Sequence, residues 1–176
     1  MQLAAGRAEQ DSIHVGILTV SDKGSLGERH DRSGDLIAEL VAQAGFLVHV
    51  REIIPDDRDL IVLWLKEMAD RRRCDLVLTT GGTGLGPRDV TPDATIQVLD
   101  YAVPGIAEAM RAAGRAHTPM AMLSRAVAGV RGRCLIINLP GSPKGVRENL
   151  DAVMAAVPHA IETLRGQTEH PAVQGG

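Results

Sequence analysis

The chain has 176 residues, 44% hydrophobic and 23% charged, with a formal net charge of −3. That length supports one domain with a substantial core, and the mild acidity argues against a non-specific nucleic-acid binder. Aromatic residues make up only 2%, which leaves Val, Leu, Ile, Ala and Met to build that core.

No apolar run approaches the length of a membrane span, and Met1 to Asp11 has acidic residues where a signal peptide would be apolar. A cytoplasmic protein is expected, with a flexible leader over residues 1–12, a single domain over 13–165 and a flexible tail over 166–176. Cys74 and Cys134 border apolar strands without metal-type spacing, so both are expected as buried, reduced thiols. The scattered histidines show no ligand spacing, and His14, in a strand, reads as structural. Arg71-Arg72-Arg73 ends an amphipathic segment, where cations complement the helix dipole.

Ile13 to Val20 is a β-branched run and reads as a first central strand, with Ser21 to Gly27 a polar turn at its carboxyl end. Ser33 is expected to cap a helix whose buried face is Leu36, Ile37, Leu40, Val41 and Ala44, and Gly45 ends it. Phe46 to Ile54 reads as a second strand closed by Pro55. Asp56-Asp57 can cap the next helix, with Leu60, Ile61, Trp64, Leu65 and Met68 as its stripe. Asp75 to Thr80 is a third strand. It runs into T-T-G-G-T-G-L-G-P-R-D-V-T-P-D, Thr79 to Asp93, after which Ala94 to Leu99 begins a helix.

Further on, Pro104 to Arg115 reads as a helix. Met122 to Val130 and Arg133 to Leu139 read as extended runs joined by a hairpin at Arg131-Gly132. Leu139 to Gly145 is a second glycine-proline turn after a strand. The closing helix carries Val146, Leu150, Val153, Met154, Val157, Ile161 and Leu164, with a kink or break at Pro158. The alternation of strands and helices implies an α/β fold: a three-layer αβα sandwich around a mostly parallel sheet with one antiparallel excursion. Ligands of such sheets bind outside the carboxyl ends of the strands. Ser21-Asp22, Pro55-Asp56 and the glycine turn should meet there.

The glycine turn is the most informative segment. Gly reaches positive φ without penalty and lets a ligand approach the main chain. Successive N–H groups in a strand-to-helix turn form a cradle for phosphate. Asp89 and Asp93 flank that cradle, where a magnesium-bound phosphate needs carboxylates. Each has a plainer role open to it: Asp89 an exposed salt bridge with Arg88, Asp93 a helix cap. Asp56 could likewise be only a cap, and Asp31-Arg32-Ser33-Gly34 only a helix start. Ser142 before Pro143 suits a cap as well, which is compatible with a ligand contact.

Taken together, G-I-L-T-V-S-D (Gly16 to Asp22), D-R-S-G (Asp31 to Gly34), I-P-D (Ile54 to Asp56), the long T-T-G-G-T-G block, M-L-S-R-A-V-A-G-V-R-G (Met122 to Gly132) and I-I-N-L-P-G-S-P-K-G (Ile136 to Gly145) resemble the MogA/gephyrin G-domain family. These are the molybdopterin adenylyltransferases of molybdenum-cofactor synthesis. The resemblance runs from about Ile13 to Arg165. It implies a MoaB/Mog-like fold and transfer of AMP from ATP to the terminal phosphate of molybdopterin, with magnesium required. It also implies a homotrimer and hand-over of the product to a separate, MoeA-like metal-insertion protein. The family's two essential aspartates fall on Asp56 and Asp89, expected as magnesium ligands. Thr80, Gly81, Gly82, Thr83, Gly84, Pro140, Gly141, Ser142 and Lys144 are expected on the nucleotide and its phosphates. Ser21, Asp22, Ser124 and Arg125 are expected on the pterin. The same fold also occurs in binding proteins without catalysis, in enzymes of pyridine-nucleotide recycling and in scaffolding modules. The intact aspartates, the sequence after T-G-G and the lack of linkers speak against these in turn.

Overall fold

A computed structural model describes residues 12–167. Apart from Ser12, Gly166 and Gln167, the expected leader and tail lie outside the described residues. The chain runs β1 (His14–Val20), α1 (Asp22–Ser25), α2 (Arg32–Gln43), β2 (Leu47–Ile54), α3 (Arg58–Lys66), β3 (Leu76–Thr80), α4 (Thr91–Val98), β4 (Tyr101–Ala102), α5 (Pro104–Arg115), β5 (Ala128–Arg131), β6 (Cys134–Leu139), α6 (Pro143–Val153) and α7 (Val157–Arg165). The strands form one sheet in the order β2-β1-β3-β6-β5-β4. Contacts β2–β1, β1–β3 and β3–β6 are parallel, while β5 is antiparallel to both β6 and β4. This is the expected architecture.

Alternation along the strands explains the layers. Val15 and Ile17 of β1, Leu76 and Leu78 of β3, and Leu135 and Ile137 of β6 face α2, α5, α6 and α7, whose Ile37, Met110, Leu150 and Ile161 complete one core. The intervening Leu18, Val77 and Ile136 face α3 and α4, where Ile61, Leu65, Ala94 and Val98 complete the other. Each central strand is buried on both faces, as parallel strands under crossover helices must be.

Several local expectations are corrected. Asp31, not Ser33, caps α2: its Oδ1 accepts from Gly34 N at 2.9 Å. Ser33 lies inside the first turn and donates to the Gly141 carbonyl at 2.8 Å. Asp57, not Asp56, caps α3, accepting from Leu60 N at 3.0 Å, so Asp56 is free of a capping role. The Ser21–Gly27 turn contains the short helix α1. Helix α4 begins at Thr91 rather than Ala94, with Pro92 in its first turn. The Met122–Val130 run becomes a strand only from Ala128, in β5 (Ala128–Arg131), and its start belongs to Pro119–Leu123, which is wound into a 3-10 turn opened by Thr118. The strand β4 was not expected; two residues carry no periodicity. The closing helix does break near Pro158, through a 3-10 turn at Met154–Ala156.

Candidate functional site

The carboxyl ends of the parallel strands build one rim, and short backbone contacts explain its glycines. Gly81 has φ 100°, and a Cβ there would sit 2.2 Å from the Val20 carbonyl oxygen. The first glycine turn therefore presses against the end of β1 as only Gly can. Thr80 Oγ1 donates to the Pro140 carbonyl at 2.7 Å, and a Cβ on Gly141 would come within 3.4 Å of Gly81 Cα. The two glycine turns thus abut. Between them and α2 lies an open cleft of about 600 Å³, bordered by Ser21, His30, Asp31, Arg32, Ser33, Thr80, Gly81 and Gly141. The D-R-S-G segment is therefore both a helix start and part of the cleft wall. His30 and Arg29 also border the cleft, and no sequence signal singles them out.

Asp31 is fixed by its neighbours. Burial alone would raise its pKa, but hydrogen bonds from Arg51, Gly34 N and Thr19 Oγ1 outweigh it and hold the carboxyl below its usual range.

Asp22 and Asp56 clasp each other at the ends of β1 and β2. Asp22 N donates to Asp56 Oδ2 at 2.8 Å, and Asp56 N donates to Asp22 Oδ1 at 3.0 Å. Arg88, from the glycine turn, closes on Asp22 with Nη2 at 2.6 Å from Oδ1 and 2.8 Å from Oδ2. That bond, with the Asp56 N–H, depresses the Asp22 pKa. Asp56 moves the other way: burial raises its pKa, and the charges of Asp22 and Asp89 add to the rise against the Asp22 N–H and Arg88. The plainer role open to Asp89, a salt bridge with Arg88, is not taken: Arg88 pairs with Asp22, leaving Asp89 to other partners.

Asp89 folds back over its own loop. Its Oδ2 accepts from Gly86 N at 2.7 Å, and a Cβ on Gly84 would lie 2.8 Å from the same oxygen. Gly82, with φ 63°, is closely packed: a Cβ there would be 2.5 Å from Thr91 Oγ1 and 3.4 Å from Asp56 Oδ1. Thr91 is fully buried, and among the described residues its hydroxyl is the one buried side-chain polar atom without a hydrogen-bond partner. Buried polar groups are normally hydrogen-bonded, which sets the Thr91 hydroxyl apart from the other buried side chains described.

The remaining expected residues lie across the glycine turn. A second, more apolar cleft of about 330 Å³ is bordered by Thr83, Gly84, Leu123, Ser124, Pro140, Ser142, Lys144 and Asn149. Ser142 caps α6, its Oγ accepting from Gly145 N at 3.1 Å. Lys144 reaches Glu148 at 3.8 Å and stays exposed. Ser124 Oγ accepts from Ala126 N at 3.3 Å. Asp93 caps nothing; its carboxylate pairs with Arg125 at 3.1 Å. The Arg125 guanidinium is spent on the glycine turn and α4, so it does not line the first cleft with Ser21; Asp22, paired with Arg88, does not border that cleft either.

Comparison with known proteins places this geometry among relatives. The family described as "Probable molybdopterin binding domain" matches residues 16–159. A molybdopterin adenylyltransferase of Helicobacter pylori is 45% identical over 157 residues, covering 88% of this chain and 89% of that protein. One from Escherichia coli K12 is 39% identical over 171 residues, covering 89% and 87%. Among solved structures, the molybdopterin biosynthesis enzyme MoaB of Thermus thermophilus superposes with a TM-score of 0.83 at 56% identity, covering 88% of this chain and 97% of that one.

Proposed function

We propose, from the premise that this chain belongs to the molybdopterin-binding domain family, that it is a molybdopterin adenylyltransferase. An oxygen of the terminal phosphate of molybdopterin attacks the α-phosphorus of ATP, the bond to the β-phosphate oxygen breaks, and diphosphate leaves. The attacking phosphate is already anionic at neutral pH, so no general base is needed. The barrier lies in bringing two polyanions together and stabilising the charge that develops, which makes positioning and electrostatics the main source of rate.

One observation carries the reading: Asp56 and Asp89 both meet the glycine turn, Asp89 Oδ2 accepting from Gly86 N at 2.7 Å and Asp56 Oδ1 lying 3.4 Å from where a Cβ on Gly82 would sit. Among the described residues no cluster of three or more His, Cys, Asp or Glu could hold a metal by itself. Magnesium does not need one, since it is commonly held by one or two carboxylates together with substrate phosphates. Asp56 and Asp89 would hold it, and it would supply charge neutralisation to the phosphoryl oxygens. The N–H groups of Gly82, Thr83 and Gly84 would cradle phosphate, with Thr80 and Gly81 shaping the wall beside them, since Gly81 N already donates to the Leu139 carbonyl at 3.3 Å. Pro140, Gly141 and Ser142 would form the facing wall for the nucleotide, with Lys144 countering its charge. Ser21 would take the pterin from the first cleft; Asp22, next to it in the chain, and Ser124, from the second cleft, are further candidates. Arg125, expected on the pterin, is better read as a residue of the loop itself.

The same reading carries a single domain over 13–165, a homotrimer, a cytoplasmic location and delivery to a MoeA-like metal-insertion protein. Among the described residues no helix is long and apolar enough to cross a membrane. Incubating the protein with molybdopterin, ATP and magnesium should yield adenylylated pterin and diphosphate, and omitting magnesium should stop both. Tight pterin binding without product would instead make the chain a carrier.

A further inference from the structure

The structure assigns Arg125 as the positioning residue for Asp89, acting through the backbone of the glycine turn. This inference rests on the adenylyltransferase reading and deepens it. Arg125 Nε donates to the Gly84 carbonyl at 2.9 Å, and Nη2 donates to the Asp89 carbonyl. The Arg125 backbone N–H donates to the Thr83 carbonyl at 3.0 Å. One residue, far along the chain, therefore grips the turn at its start and its end. Asp93, in the first turn of α4, orients the fork, with Oδ2 3.1 Å from Nη2.

The turn needs such an anchor. Between Gly84 and Val90 its internal bonds are local, Gly86 N to Asp89 Oδ2 at 2.7 Å and Asp89 N to the Gly86 carbonyl at 3.0 Å, while Thr91 N closes the base of the turn on the Gly82 carbonyl at 3.2 Å. Its tip, Leu85, is 65% exposed and packs no core. The side-chain tether on its other flank, Arg88 to Asp22, is largely exposed. A planar guanidinium can hold two carbonyls and a carboxylate at once, whereas a lysine ammonium is a single point charge without that fork. Arg125 and Asp93 are themselves partly exposed, so their pairing adds little to global stability. The effect falls on where the Asp89 carboxylate sits, and a displacement of about 1 Å in such a site can cost roughly 100-fold in rate.

The test uses the full chain with Arg125→Lys and Asp93→Asn, each assayed for adenylylation kinetics and for amide hydrogen exchange across residues 84–90. The expected result for Arg125→Lys is a kcat loss on the order of 100-fold with the KM for molybdopterin little changed, and faster exchange confined to the turn. Asp93→Asn should show the same pattern more weakly. Combined with Asp89→Asn, Arg125→Lys should add almost no further loss, because residues acting as one unit are not additive. A raised KM at unchanged kcat would make Arg125 a direct pterin contact and overturn the proposal. So would fully additive losses, or unaltered exchange in both variants. If the wild-type protein forms no adenylylated pterin, the activity reading alone fails. The exchange comparison then decides the clamp, faster exchange supporting it and unchanged exchange refuting it.

Discussion

Asp56 is held at the rim against an electrostatic penalty. Burial raises its pKa, and the neighbouring charges of Asp22 and Asp89 push the same way. A carboxyl whose folded pKa exceeds its unfolded value favours folding only while protonated. That contribution is present at acid pH and is lost as pH rises from the ordinary carboxylate range through the folded pKa. At neutral pH the ionised group therefore works against stability. Asp56→Asn should raise the Tm above wild type at pH 7, and the gain should shrink as pH falls into the carboxylate range. Its turnover should drop by roughly 100- to 1,000-fold, the scale for losing a group that stabilises developing charge. Thermal melts across pH check the first part; a lower Tm at pH 7 would contradict it. Lys144, exposed beside the second cleft, is expected to act at longer range. Lys144→Ala should raise the KM for ATP several-fold with the Tm unchanged, and an unaltered ATP dependence would remove Lys144 from the site.

At the scale of elements, the position of α4 matters because it carries the end of the glycine turn. Asn138, fully buried on β6, donates to Thr79 Oγ1 at 3.0 Å and Thr95 Oγ1 at 2.9 Å. It thereby pins α4 to the sheet next to the rim. Asn138→Ala should cost about 1–3 kcal/mol, as expected when buried partners lose their hydrogen bonds. Urea unfolding measures it, and a change near zero would show that the network is not structural. The sequence made the strands and most helices legible because period and glycine or proline punctuation agree there. Elements fixed by long-range contacts were not legible. Asp31 outcompetes Ser33 as a cap because Thr19 and Arg51 converge on it from β1 and β2. The two-residue β4 exists because β5 offers it an edge. The same holds at the site. The motif residues of the rim could be read in advance, whereas Arg88 on Asp22, Arg125 on the turn and the unpaired Thr91 hydroxyl are products of tertiary approach.

For the whole molecule, one sheet brings separate turns to a common rim, and the glycine turn divides that rim into two clefts. In the proposed function, two anionic substrates would occupy this divided rim, with Asp56 and Asp89 against the glycine turn between the clefts. The proposed transfer between two phosphates uses this division, and on that proposal Asp89 would be dispensable for holding the pterin but not for reaction. The most direct test is transfer of label from α-phosphate-labelled ATP to molybdopterin, measured with pterin binding, in the wild-type chain and in Asp89→Asn. The account predicts labelled pterin from the wild type, and from Asp89→Asn a rate roughly 100- to 1,000-fold lower with pterin affinity little changed. Equal transfer by both proteins, or pterin binding by the wild type without any transfer, would contradict it.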